Sequence, residues 1–470
     1  MAVTSAPAPA VPDVRRLAAP RRARWWAAAV WAVATALLLV VLRLWVSHGG
    51  VTDLGGGAAS ALGAAGRLAG LLASYLMLAQ VLGMARVPWV ERSFGQDAVT
   101  RWHRWTGFTS FHLLLVHIVA ILWSYTLLGR VSWVRETWDV VTTLPGMLLA
   151  TVGFGLIVAV VVSSMRVARR RMRYEGWHLL HLYAYLGVGF ALPHQLWTGT
   201  DLGGSTAATA FWWTLWAVTL LAVLVFRVGQ PLWLSARHDL RVAEVVPEGE
   251  GLVSLHLTGR RLDELRVEPG QYFVWRFLSG TGWTRGHPLS LSAAPTTVGL
   301  RVTVGTRGDD GARVATLRRG TRVLVEGPYG RLTPAVRTRP RVAAFAAGSG
   351  IAPVMAMLHD NAWEPVTDTL VLRTSRPGEV PLAEDIEWLA GQTGLRFVAL
   401  PGPRARTGPT WLPDGAWPGD GPSALRALVP VLDEHDVIVC GPLPWTQALV
   451  ADLRAAGVPA EALHVERYDW

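Results

Sequence analysis

The sequence predicts a multi-domain membrane protein: a six-helix transmembrane bundle, then an antiparallel β-barrel, then a doubly wound α/β domain. Three observations predict it. Of the 470 residues, 51% are hydrophobic and only 17% are charged, an excess that a wholly water-solvated chain does not carry. The apolar residues concentrate before residue 230 in stretches of about 20, the length a helix needs to cross roughly 30 Å of hydrocarbon. After Pro231 short β-rich runs take over, and from Arg341 strands alternate with helix-like segments.

The apolar stretches run approximately 25–46, 66–85, 104–126, 145–165, 178–197 and 208–229, giving a membrane domain over 25–230. Residues 1–24 are Ala/Pro-rich and read as a disordered cytoplasmic terminus. Arg21, Arg22 and Arg24 followed by an apolar run imitate a signal peptide, but 22 residues without a small-residue cleavage pattern read as a retained span. Arginines gather before span one, around spans two and three (Arg86, Arg92, Arg101, Arg104), between spans four and five (Arg166, Arg169, Arg170, Arg171, Arg173) and after span six. The alternate loops hold few, so a multi-pass cell-membrane protein with both termini cytoplasmic is expected.

The net charge of +10 comes from 44 basic against 34 acidic residues, and every basic one is arginine. Lysine chemistry of the Walker or Schiff-base kind is excluded. The arginines flank apolar runs and form no basic face with aromatic interleaving, so nucleic-acid binding is not expected. One cysteine, Cys440, cannot form an intrachain disulfide, a four-cysteine iron–sulfur site or a CxxCH haem attachment.

Ionisable residues inside apolar spans are costly and usually functional. Span three carries His103, His112 and His117, and span five carries His178, His181 and His194. Neutral imidazole suits axial ligation of haem iron, and two histidines on facing helices can grip one haem. Interhelical hydrogen bonding is the alternative. His103 and His117 are 14 residues apart, within about 40° of one helix face and separated by about 21 Å of rise. His181 and His194 are 13 apart, which points to different faces unless Gly187, Gly189 and Pro193 bend the helix. The two spans run in the same direction, pairing His103 with His181 near the cytoplasmic side and His117 with His194 near the outer side. His112 and His178 fit helix-interior polar contacts, and Arg104 fits snorkelling or a haem propionate.

The HR…G…H run on one span with H…H on another resembles the ferric reductase-like transmembrane domain shared by ferric reductases and NADPH oxidases, over roughly residues 66–229. The resemblance implies two haem b groups held by His103, His117, His181 and His194, passing electrons outward singly.

Strands LRVAEVV, LVSLHLT, YFVWRFL, LRVTVGT and TRVLVEG suggest a small antiparallel barrel over 235–335. With PGQYFVW, RGHPLSLSAAP and VEGPYG in that order, this stretch resembles the flavin-binding barrel of the ferredoxin–NADP reductase family. By that resemblance His287, Pro288, Leu289, Ser290 and Ser292 line FAD, with Arg301, Gly308 and Gly311 holding more of it. Ala312 stands where the family has a threonine.

The alternation over 340–470 argues a parallel sheet whose strand-to-helix turns bind nucleotides. GSGIAP at 348–353 is not the GxGxxG fingerprint; with VCGPLPW about 90 residues later it is similar to the NAD(P)H-binding domain of the same family. The resemblance puts Gly348, Ser349, Gly350 and Pro353 at the pyrophosphate, and Cys440, Gly441 and Pro442 near the nicotinamide, a buried structural role being the alternative for Cys440. Ser375 and Arg376 follow the second strand, where a guanidinium suits a 2′-phosphate, so NADPH is expected over NADH. In the terminal HVERYDW, Tyr468, or else Trp470, would stack on the flavin.

The whole reads as a membrane flavohaem oxidoreductase of the NADPH oxidase or ferric reductase type. Electrons would pass from cytoplasmic NAD(P)H through FAD and two haem b groups to an extracytoplasmic acceptor, either oxygen giving superoxide or an Fe(III) chelate. The flavin is required because nicotinamide delivers two electrons and haem accepts one. The alternatives are an electron-relay subunit feeding a redox partner protein and a transporter using the membrane histidines.

Overall fold

The computed structural model describes residues 19–172, 174–249, 251–280, 283–307, 309–360 and 368–467. It divides into two compact units, one over Arg24–Gly229 and one that takes in Gln230–Trp470.

In the first unit five helices are long and apolar enough to cross a membrane: Trp25–Ser47, Ala58–Met84, Ala98–Gly129, Met147–Ser164 and Thr206–His238, the last continuing beyond the unit. The first four lie in α1 (Ala19–Ser47), α2 (Ala58–Met84), α3 (Gln96–Gly129) and α4 (Met147–Ser164). The fifth span, expected at 178–197, is instead two shorter helices, α5 (Tyr174–Phe190) and α6 (Leu192–Trp197). The cause is Pro193, which sits in the first turn of α6. Proline offers no amide hydrogen and its ring collides with the carbonyl four residues back, which interrupts the helix here. α7 (Thr206–Ala222) follows, running into a π-helical stretch at Val223–Gly229.

The unit is solvated inside out. Trp105 is 69% exposed and Leu128 68%, as expected for side chains that face lipid. Its interior is built on Val41, Trp45, Tyr75 and Trp212. Trp45 donates to the Ala64 carbonyl at 2.9 Å and Tyr75 to the Ala34 carbonyl at 2.7 Å, so both buried rings have their polar atoms paired.

The C-terminal unit opens with two three-stranded antiparallel sheets, where one closed barrel is the expectation from sequence. The first is ordered β1 (Arg241–Pro247), β2 (Leu252–Thr258), β5 (Leu300–Gly305). The second is ordered β4 (His287–Ser290), β3 (Tyr272–Phe277), β6 (Val323–Tyr329). Isolated bridges Leu291–Val302 and Arg241–Arg322 join them. Alternation along β3 turns Phe273, Trp275 and Phe277 inward against Leu255, Leu291 and Val302.

Next comes a parallel sheet of five strands in the order β11-β10-β7-β8-β9. Its strands are β7 (Arg341–Ala347), β8 (Thr369–Thr374), β9 (Arg396–Pro401), β10 (His435–Gly441) and β11 (Leu463–Arg467). Both faces are covered, which is why β7 and β10 read as unbroken apolar runs rather than alternating ones. The chain moves one way from β7 to β9 and then returns to β10 on the other side. β7 and β10 therefore flank the switch point, where such sheets open a crevice beyond their carboxyl ends.

Candidate functional site

Four membrane histidines meet in two pairs. The rings of His103 on α3 and His181 on α5 have centroids 5.8 Å apart, and those of His117 on α3 and His194 on α6 lie 6.5 Å apart. The break between α5 and α6 is what turns His194 toward α3, since 13 residues on a straight helix would point it elsewhere. Two iron–nitrogen bonds of about 2 Å on opposite faces of one haem, with the ring radii added, need centroids roughly 6 Å apart. Both pairs fit that spacing.

His117 is held in the matching tautomer. Its Nδ1–H donates to the Gly66 carbonyl at 2.8 Å, which leaves the Nε2 lone pair for a metal. Close passage of α2 makes this possible: a Cβ on Gly70 would lie 2.5 Å from His117 Nδ1. His181 Nδ1 lies 3.4 Å from Ser164 Oγ, with the Trp177 ring 5.1 Å from its own. His112 donates to the Phe108 carbonyl of its own helix at 2.8 Å, and the His178 ring lies 6.5 Å from that of Trp177. Among the described residues no three His, Cys, Asp or Glu side chains converge as a metal site, so the histidine pairs are the ligand sets to consider.

A cavity of about 680 Å³ opens at the second pair, lined by His117, His194, Met77 and Trp216 together with Arg67, Asp53 and Asp201. Arg67 Nη2 donates to Asp53 Oδ2 at 2.9 Å, and its Nε stands 3.5 Å from Asp201 Oδ2. Asp201 is only 4% exposed. Sequence reasoning missed this trio. The signal was an arginine inside an apolar span, whose partners sit in short helices outside it, at Gly50–Leu54 and Thr200–Gly203.

In the C-terminal unit β4 carries His287, Pro288, Leu289 and Ser290 opposite β3, and Trp275 Nε1 donates to the Leu289 carbonyl at 2.9 Å. Ser292 is fully buried and accepts from Arg301 Nε at 3.2 Å. Gly311 lies against the end of β5, where an added Cβ would meet the Gly305 carbonyl oxygen. Gly308 and Tyr468 lie outside the described residues.

At the switch point the two strand exits abut. Gly348–Gly350 forms a tight 3-10 turn after β7, and a Cβ on Gly350 would stand 2.2 Å from the Cys440 carbonyl oxygen. Only glycine fits there. The turn thereby gathers Gly348 and Ser349, both exposed, beside Gly441 and the exposed Pro442, while Pro353 is buried in the following helix. Cys440 is 0% exposed and sits among the apolar residues beneath the sheet. Ser375 and Arg376 follow β8 at the surface, where Arg376 is 69% exposed and pairs with Glu379 at 3.3 Å.

Residues 69–192 match the family described as ferric reductase like transmembrane component. The family match covers all four paired histidines except His194, which lies two residues past its end. Over 243 residues the chain is 31% identical to the ferredoxin reductase component of 3-ketosteroid-9-alpha-monooxygenase from Mycolicibacterium smegmatis, covering 48% of this chain and 64% of that one. A stachydrine N-demethylase reductase subunit from Rhizobium meliloti is 27% identical over 248 residues, covering 50% of this chain and 67% of that one. Among solved structures, the FAD/NAD-binding domain of a nitric oxide dioxygenase from Vibrio cholerae superposes with a TM-score of 0.40 at 23% identity, covering 49% of this chain and 98% of its own. A stretch that matches the ferric reductase like transmembrane component is thus joined in one chain to a region similar to ferredoxin reductases.

Proposed function

We propose that the protein is a membrane oxidoreductase that takes electrons from NAD(P)H on the cytoplasmic side and delivers them to an acceptor on the other. The observation that carries this reading is the meeting of His103 with His181 and of His117 with His194 at 5.8 and 6.5 Å, two ligand pairs at two depths of one helix bundle. When bound, FAD divides the two electrons of a hydride and two haem b groups carry them singly.

The chain's own residues do the placing. Gly66 fixes the tautomer of His117, and Gly70 makes room for its ring. Arg67, tied to Asp53 and Asp201, presents a cation to the cavity that His117 and His194 line. In the domain spanning 235–335, the β4 edge from His287 to Ser290 receives the flavin and Arg301 its anionic part. In the domain spanning 340–470, the Gly348–Gly350 turn receives the nucleotide pyrophosphate with backbone amides, and Arg376 selects NADPH through its 2′-phosphate. The arginine distribution supports cytoplasmic termini, with α5 and α6 together forming the fifth of six crossings.

Oxygen and a ferric chelate are the acceptors this reading names. A second reading is favoured by the relatives, which are reductase components of oxygenase and demethylase systems: a relay that feeds a dedicated redox protein. Anaerobic addition of NADPH to the purified protein tests the proposal. A reduced b-type haem spectrum is expected, reoxidised by oxygen or by a ferric chelate. Reduced haem that neither acceptor reoxidises supports the relay, and absence of haem overturns the main reading.

A further inference from the structure

The helix leaving the Gly348–Gly350 turn, α8 (Ile351–Asp360), packs on both halves of the C-terminal unit. Ala356 shares a buried cluster with Phe273, Trp275 and Val302 of the antiparallel sheets, whereas Ile351, Val354 and Met355 belong to the cluster beneath the parallel sheet. Apolar contact of this kind is strong but non-directional. Register between the halves is then open to a charged contact.

Arg301 and Asp385 supply one. Arg301, on β5, is pinned on its own side by Ser292, donating from Nε to Oγ at 3.2 Å and from Nη2 to the carbonyl at 2.7 Å. Across the boundary, Nη2 meets Oδ2 of Asp385 at 2.5 Å, in the first turn of α9 (Ala383–Thr393). The other oxygen of Asp385 lies 3.7 Å from Nε2 of His359, in the last turn of α8. Three elements thus converge on one carboxylate: β5 from the flavin half, and α8 and α9 from the nucleotide half. The Arg301 side chain is 12% exposed and that of Asp385 is 23% exposed, so the pair is far less screened than a surface ion pair. Burial pushes His359 down to about 4, so at neutral pH it is uncharged, and Arg301 is the cation paired with Asp385 among the described residues. Arg301 Nη1 makes no hydrogen bond among the described residues.

We infer that Asp385 is a positioning residue for hydride transfer: by holding the Arg301 guanidinium it fixes the register of the nucleotide half on the flavin half and leaves Nη1 to an anionic group of the flavin cofactor. The inference rests on the reading that this unit takes FAD and NAD(P)H.

The test is stopped-flow anaerobic reduction of the full-length protein by NADPH and by NADPH deuterated at the transferred position. In Asp385→Asn the limiting rate of flavin reduction is expected to fall about tenfold and the isotope effect to rise, because small misplacements of reacting atoms are costly. Bound FAD and the apparent Kd for NADPH should stay within about twofold, and Asp385→Glu should recover most of the rate. Arg301→Lys, which keeps the charge but loses the fork joining Ser292 to Asp385, should show the same fall in rate if Asp385→Asn does not retain FAD. An unchanged limiting rate in Asp385→Asn, or in Arg301→Lys when that variant is used, overturns the inference alone. A wild-type protein that binds no flavin overturns the functional reading along with it.

Discussion

The two units place their candidate groups by opposite means. In Arg24–Gly229 the groups are side chains on long helices, with lipid-facing Trp105 and Leu128 outside and Asp201 and the histidine pairs within. In the C-terminal unit Trp275, Trp411 and Phe345 are fully buried, and the candidate site is a set of backbone turns at strand ends. Side-chain identity therefore carries the first site, while backbone clearance carries the second. Substitutions that separate these two modes test the contrast.

The largest effect belongs to His117→Leu or His194→Leu. Each should halve the haem content, read from the reduced b-type absorbance, while NADPH still reduces flavin at the wild-type rate. Loss of flavin reduction with both haems kept would break the assignment. Glycine substitutions come next, one in each unit. Gly70→Ala puts a Cβ 2.5 Å from His117 Nδ1 and should mimic the loss of that ligand in haem content. Gly350→Ala drives a Cβ to 2.2 Å from the Cys440 carbonyl oxygen, with an overpacking cost of about 1–3 kcal/mol. Thermal unfolding and NADPH titration should both register it, and haem content should not change.

A smaller effect is expected of Arg376→Ala. The KM for NADPH should rise about tenfold with NADH nearly unaffected, as removal of a phosphate-pairing guanidinium predicts. Equal effects on both nucleotides would remove the 2′-phosphate role. The smallest concerns acid stability of the C-terminal unit. Burial pushes Asp436 up, but hydrogen bonds from His464 Nε2 at 2.9 Å and from the Thr338 and Arg339 amides outweigh it and hold the carboxyl below its ordinary value. A depressed carboxylate gives stability that is present above its unfolded pKa and lost as pH falls through the folded one. Thermal unfolding of the wild type should therefore drop on the acid side of about pH 4, and Asp436→Asn should be less stable at neutral pH but flatter there.

What the sequence made legible follows the same division. The 14-residue interval between His103 and His117 needs only helix geometry, and the pairing across helices follows from matched depth. All five β-rich strings fall on strands, because alternation and turn residues are local signals. Partners distant in sequence were invisible. Asp201 reaches Arg67 across 134 residues, and Asp385 reaches Arg301 across 84. The break at Ala191 was foreshadowed by Pro193, but its result, two helices each too short to cross by itself, was not.

That break makes the two ligand-bearing helices unequal in their tolerance of insertion and deletion. One residue added to α3 between His103 and His117 rotates the second ligand by about 100° and separates it from His194, since nothing in a continuous helix absorbs the turn. One residue added near Ala191 falls where the helical hydrogen bonds are already interrupted, and the chain can take it up there. The reading frame between the ligands is rigid on one helix and elastic on the other.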